Sequence, residues 1–288
     1  MHRCVITFAL LCWWPLVLQA ESASFDSNGV RIAYQDQGKG EAVVLVHGFC
    51  VDAQIQWGVP GIIRNLATAY RVIALDNRGH GKSGKPHDPD QYGDEMVRDL
   101  IRLLDHLQIK KAHFVGYSMG AFITCKLATM HPDRVLSATL GGAGWPRQEL
   151  SSFADRLADS LDKEQSLAPL MILLTPEGKP QPTAAQIKQV NQFLMSFNDP
   201  KALAAVLRGN KKLLVTEEAL KKNQVPMLCL IGDQDPLKTS VNAMKPVAAN
   251  LRVVELQGAD HMNAFSRPEF LKELRAFLAE HPANKNGK

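Results

Sequence analysis

The sequence predicts an α/β protein: a mostly parallel central sheet flanked by helices, with a helical segment inserted late in the chain. Three observations predict it. Short apolar runs alternate with amphipathic stretches along most of the 288 residues. One run, Ala112-His113-Phe114-Val115, leads into Gly116-Tyr117-Ser118-Met119-Gly120, a G-x-S-x-G pattern in which a buried strand turns sharply through a serine into a helix. After Gly144 the alternation stops, and residues 145–222 read as helical, punctuated by Pro169, Pro176, Pro180 and Pro182. With 45% hydrophobic residues, a chain of this length can bury one large core.

Taken in order, Met1-His2-Arg3 precedes an apolar run at residues 5–18. That run is shorter than the about 20 residues a spanning helix needs, and the small residues Ala20, Ser22 and Ala23 follow it. Residues 1–22 are therefore read as a cleavable signal peptide, with an uncleaved N-terminal anchor as the alternative, because Pro15 and Trp13-Trp14 interrupt the run. Asn28-Gly29 predicts a hairpin between Ser24-Phe25 and Val30-Arg31-Ile32-Ala33-Tyr34. Six further strands are expected, the first of them Ala42-Val43-Val44-Leu45-Val46, followed by the loop His47-Gly48-Phe49-Cys50. The strand at 136–140 ends in Gly141-Gly142-Ala143-Gly144 and offers no carboxylate. Helices are expected at 150–161, 184–197 and 200–208, and Met171 to Leu174 supply either a pocket wall or the core of that segment. A strand from Val225 ends in Gly232-Asp233-Gln234-Asp235-Pro236, and one at 251–256 runs into Gln257-Gly258-Ala259-Asp260-His261. The expected organisation is thus a core of residues 23–144 and 223–283, an insertion at 145–222 and a flexible tail at 284–288.

Chemistry centres on Ser118. A serine hydroxyl is a weak nucleophile until a base takes its proton and a carboxylate orients that base. On this fold the required chain order is Ser, then Asp or Glu, then His, and the last two must fall past strand C-termini. His261 meets that condition; the other histidines lie in the leader, before the serine, in helix-like segments or in the tail. Asp233 and Asp235 both qualify as the acid. Asp235 is favoured, since it lies deeper in the turn, whereas Asp233 reads as a turn former bonding its own backbone. Met119 N–H opens the helix after the serine, and Gly48 permits the bend that turns Phe49 N–H inward, which makes these two the candidate oxyanion donors. His47 is read as a loop brace.

His47-Gly48-Phe49, Asp76-Asn77-Arg78-Gly79-His80-Gly81-Lys82-Ser83, Gly116-Tyr117-Ser118-Met119-Gly120, Gly232-Asp233-Gln234-Asp235-Pro236 and Gly258-Ala259-Asp260-His261, in that order, resemble the α/β-hydrolase superfamily. The resemblance runs from about Phe25 to the last helix. It implies the α/β-hydrolase fold, a helical cap at 145–222, a framework role for Arg78 and His80, and a capped serine hydrolase of the esterase or lipase-like kind. Asp260 stands where the family usually has glycine. Haloalkane dehalogenases and epoxide hydrolases of this fold use Asp at the elbow, where this chain has Ser118. The epoxide hydrolases also use cap tyrosines, and Tyr34, Tyr70, Tyr92 and Tyr117 all precede the expected cap. Esterase, carbon–carbon bond hydrolase and perhydrolase share the remaining apparatus, and a non-catalytic ligand receptor would be expected to lack one of its members.

Composition narrows the setting. Cleavage would leave Cys50, Cys125 and Cys229, which gives no disulfide framework, and no Asn-x-Ser/Thr acceptor occurs, so a secreted or bacterial periplasmic protein is expected. The formal charge of +4 is spread in scattered pairs and predicts no nucleic-acid partner. No metal site and no cofactor are expected. The partner is a small-molecule ester, and no stable membrane association is expected once the leader is removed.

Overall fold

The computed structural model describes residues 21–283, so the 5–18 run and the 284–288 tail lie outside the described residues. Among the described residues, eight strands form one sheet: β1 (Glu21–Ser27), β2 (Val30–Gln37), β3 (Ala42–Val46), β4 (Arg71–Leu75), β5 (Ala112–Tyr117), β6 (Val135–Gly141), β7 (Met227–Gly232) and β8 (Leu251–Leu256). Their order is β1-β2-β4-β3-β5-β6-β7-β8. β1 pairs antiparallel with β2, and β2 antiparallel with β4, while every other pairing is parallel. This is the α/β-hydrolase fold. Asn28 and Gly29 both take positive φ at the β1–β2 turn, the geometry an Asn-Gly hairpin requires. β1 begins at Glu21, inside the stretch read as leader.

The central strands are apolar throughout because helices cover both faces. Period-2 alternation sends Val44 and Val46 of β3 to one face and Val43 and Leu45 to the other. On the first face lie α2 (Asp94–His106), α3 (Met119–Met130) and α9 (Lys238–Met244), through residues such as Leu100, Leu104, Ile123 and Val241. On the second lie α1 (Ile62–Leu66) and α10 (Pro268–Glu280), through Ile63, Leu66, Phe270 and Leu274. Full burial of one such leucine contributes about 1.5–3 kcal/mol. The turn after β4 is fastened by charge. Arg78 grips Asp99 of α2 bidentately (Nε to Oδ2 2.6 Å, Nη2 to Oδ1 2.5 Å), both groups being buried, and Asp76 accepts the Ala53 and Lys82 N–H groups.

Between β6 and β7 the chain is helical: α4 (Glu149–Glu164), α5 (Ala168–Leu173), α6 (Ala184–Met195), α7 (Pro200–Gly209) and α8 (Glu217–Lys222). The helix expected at 184–197 ends two residues early. α5 has no counterpart among the helices expected from sequence; Pro169 stands in its first turn, where no N–H bond is lost, and marks the start of a helix and not a break. α4 and α7 enclose a small core of Leu157, Leu161, Leu203 and Leu207, into which Cys50 from the loop after β3 inserts.

Candidate active site

Four loops meet at the C-terminal ends of β3, β5, β7 and β8. Ser118, the N-cap of α3, sits at φ 54°, ψ −115°, a conformation few non-glycine residues adopt, so the surroundings must impose it. They do so by close packing. A Cβ on Gly116 would collide with the Gly120 carbonyl, and one on Gly120 with the Val46 carbonyl, so both glycines let the start of α3 press against β3 and β5. The Ser118 N–H is also held, by the Gly141 carbonyl at 2.8 Å. The hydroxyl is left partly exposed.

Asp235 and His261 come together past the ends of β7 and β8. His261 Nδ1 lies 2.9 Å from Asp235 Oδ2, with both residues buried. Asp235 Oδ1 accepts the Leu237 N–H at 2.8 Å, so one carboxylate both shapes its own turn and fixes the imidazole. The two loops are laced by Asp233 N–H to the Leu256 carbonyl and Gln234 N–H to the Ala259 carbonyl. The sequence reading gave the turn-forming bond to Asp233, and this is corrected: Asp233 Oδ1 is buried without a partner, and Asp235 makes the turn bond. Asp260, the departure at the usual glycine, accepts the Met262 and Asn263 N–H groups and so shapes the loop that presents His261. Among the described residues the Ser118 hydroxyl has no hydrogen-bond partner; bonds of this kind tighten when substrate is bound.

The loop after β3 closes over the serine. A Cβ on Gly48 would stand 3.4 Å from the Ser118 Cβ. His47, buried, accepts the Asn77 N–H at Nε2 (2.9 Å) and donates from Nδ1 to the Gly48 carbonyl (2.7 Å); burial lowers its pKa and keeps it neutral. In a trans peptide C=O and N–H point opposite ways, so a Gly48 carbonyl turned to His47 leaves the Phe49 N–H facing away from it. Among the described residues neither the Phe49 nor the Met119 N–H has an acceptor. Both residues, with Ser118, wall a cavity of about 110 Å³ between sheet and insertion, whose far side is formed by Phe153, Leu170, Leu173 and Leu174. Of the expected Met171 to Leu174 wall, Leu173 and Leu174 face the cavity, while Ile172 is 50% exposed, as helical periodicity demands.

Tyr117 escaped the sequence reading. Its phenol, fully buried and held protonated by that burial, donates to the His261 carbonyl at 2.6 Å, and its ring lies 5.4 Å from the imidazole. The only sequence trace is its place inside the G-x-S-x-G pattern.

Comparison with known proteins agrees with this architecture. Residues 41–163 match the model of the alpha/beta hydrolase fold family. The chain is 28% identical over 272 residues to the pimeloyl-[acyl-carrier protein] methyl ester esterase of Aliivibrio fischeri, covering 86% of this chain and 97% of that protein. It is 29% identical over 252 residues to the dihydrolipoyllysine-residue acetyltransferase component of the acetoin cleaving system of Pseudomonas putida, a match covering 84% of this chain but 64% of that longer protein. Epoxide hydrolases match over shorter stretches. Among solved structures, a thermophilic esterase from Thermogutta terrifontis aligns with a TM-score of 0.72 at 25% identity, over 91% of this chain and all of that one. On the sheet order, the strained serine turn and these matches together, the chain has the α/β-hydrolase fold.

Proposed function

We propose that this protein is an exported serine hydrolase that cleaves carboxylic esters through an acyl-enzyme intermediate. Ser118 Oγ attacks the ester carbonyl while His261 Nε2 takes its proton, and the carbonyl oxygen, now negative, is received by the Phe49 and Met119 N–H groups. Asp235 keeps the Nδ1 proton in place and stabilises the imidazolium. His261 then returns the proton to the departing alcohol, and the C–O bond breaks. Water, deprotonated by His261, attacks the acyl-serine and releases acid and free Ser118. The observation that supports this most directly is the buried Asp235–His261 bond beside a serine held at positive φ. A serine, unlike a carboxylate, forms an acyl ester on attack at a carbonyl, which favours acyl substrates over epoxides. The apolar cavity beside it suits an apolar acyl or alcohol chain, and likeness to an esterase over nearly the whole chain supports the same bond. Export rests on the leader expected at residues 1–22 and gives a secreted or periplasmic setting.

The test joins labelling to turnover. An organophosphate should modify Ser118, and aryl esters of rising acyl length should be cleaved by the wild type but not by Ser118→Ala, with a thioester, a lactone and a vinylogous diketone run beside them. Labelled protein that cleaves no ester would remove the ester reading, and cleavage of the diketone alone would replace it with carbon–carbon hydrolysis. Near wild-type turnover by Ser118→Ala would remove the serine mechanism altogether.

A further inference from the structure

Cys50 is the one non-glycine residue of the loop after β3 with positive φ (63°), and it is buried. Nothing in its side chain favours that conformation: the thiol is small and apolar in use, and a left-handed φ is disfavoured for any residue carrying a Cβ. Two interactions with the insertion hold it. The side chain belongs to the same buried cluster as Leu157, Leu161 and Leu203 of the insertion. The carbonyl accepts a 2.9 Å hydrogen bond from Nδ2 of Asn198, in the short connection between α6 and α7.

Asn198 is buried, and its Nδ2 also donates to the Leu194 carbonyl at 2.9 Å, in the last turn of α6. Both neighbours are carbonyl oxygens and can only accept, so the chemistry fixes which end of the amide faces them. Its Oδ1 is buried with no partner. An asparagine that leaves half its amide unsatisfied is a poor choice for stability alone, since a buried acceptor without a donor is costly. What the position uses is the pair of N–H donors, one spent on a helix end and one on the Cys50 carbonyl.

The Cys50 carbonyl lies two peptides from the Phe49 N–H. On the core side that stretch is pinned by His47 at the Gly48 carbonyl, and on the insertion side by Asn198 at the Cys50 carbonyl, so the Phe49 peptide is held between two clamps. We propose that Asn198 is a positioning residue that holds the oxyanion loop from the cap side, so that the Phe49 N–H is set for catalysis only while cap and core are engaged. This rests on the reading of Phe49 as an oxyanion donor. A second tie between the same parts, His87 Nε2 to Asp199 Oδ2 at 2.7 Å, joins cap to core without touching the loop and provides an internal control.

The experiment uses p-nitrophenyl acetate, whose acyl group needs the oxyanion donors but is too short to fill the apolar cavity, and p-nitrophenyl octanoate, which needs both. Asn198→Ala should lower kcat on the acetate about 10-fold with KM within about twofold, and slow phosphonylation of Ser118 by a p-nitrophenyl phosphonate by a similar factor, because the phosphonyl oxygen occupies the same donors. The pH profile of kcat/KM should not move, since the Asp235–His261 pair is untouched. His87→Gln should leave kcat on the acetate unchanged. If Asn198→Ala does not fold, Asn198→Asp, equal in shape but without donors, serves in its place. A kcat on the acetate within twofold of wild type, with only the octanoate KM raised, would reduce Asn198 to a cap-packing residue and overturn the proposal. So would an equal kcat loss in His87→Gln. Ser118→Ala measured alongside separates the two levels: turnover surviving there removes the serine mechanism and this proposal together, whereas an inactive Ser118→Ala beside an unimpaired Asn198→Ala removes this proposal alone.

Discussion

Asp235 holds two hydrogen bonds with its two carboxylate oxygens, and this division makes its substitution informative. In Asp235→Asn the amide oxygen can keep the Leu237 N–H, so the turn survives, while the amide NH2 replaces the acceptor that faced His261 Nδ1. Two donors cannot share that 2.9 Å contact, and the imidazole must shift its proton to Nε2, the atom that accepts from Ser118 in the proposed mechanism. We expect kcat to fall roughly 10²- to 10⁴-fold with a modest change in melting temperature. Asp233→Asn should cost far less in kcat, because the Asp233 carboxylate touches neither the imidazole nor the turn amide. Steady-state kinetics and thermal melts of both variants decide it, and a larger kcat loss in Asp233→Asn would mean the wrong carboxylate has been assigned. Choosing between the two from sequence depended on turn chemistry that both residues could supply, since they sit two apart in one loop. What separates them is which oxygen faces β8, and that is set by a partner 26 residues away.

Strands were the most legible elements because the physics that makes them is local. β3, β5 and β7 are buried on both faces, so each is an apolar run ending at a glycine or a functional loop and can be read from composition, although β7 starts at Met227 and not at the expected Val225. The serine turn was legible for the same reason, since Gly116 and Gly120 are demanded by backbone contact. Tyr117 and Asn198 were not, because each acts through a backbone carbonyl of a residue distant in sequence, 144 and 148 positions respectively. β1 raises a different matter at the element scale. It pairs with β2 from Glu21↔Asp36 to Ser27↔Val30, yet the side chains that anchor it are Phe25 and Ser27, both buried. Leader cleavage anywhere from Glu21 to Ser24 would trim the free end of an edge strand and leave those anchors paired. On the proposed export, we therefore expect the mature protein to begin between Glu21 and Phe25, as read by intact mass. A mature chain that still starts at Met1 would favour the anchor alternative.

Across the whole molecule, the buried His47, His80 and His113 set how the fold meets acid. His80 stacks edge-on between His47 and Phe49, with ring centroids 5.2 and 5.7 Å away, and burial pushes its pKa down to about 3. Burial also lowers His47, against the opposing pull of Asp76 and Asp52, and lowers His113 near the start of β5, against Glu41. All three are therefore neutral in the folded protein at pH values where the unfolded chain, with histidine near 6.5, takes up protons. The unfolded state then binds more protons than the native one, so stability falls as pH falls below about 6.5. Above that value these groups contribute no slope. For His80 the loss continues down to about pH 3, with a limiting slope of about 1.4 kcal/mol per pH unit. Urea unfolding at pH 7.5, 6.5 and 5.5 should show little change over the first step and a clear loss over the second, a range in which unfolded carboxylates are still ionised. His80→Asn, which can keep the bond that Nδ1 makes to the Arg78 carbonyl, should unfold with a shallower pH slope than wild type between 6.5 and 5.5. An unchanged slope in that variant would show that His80 accepts its proton without unfolding, and that the cluster beneath the Phe49 loop is open to water.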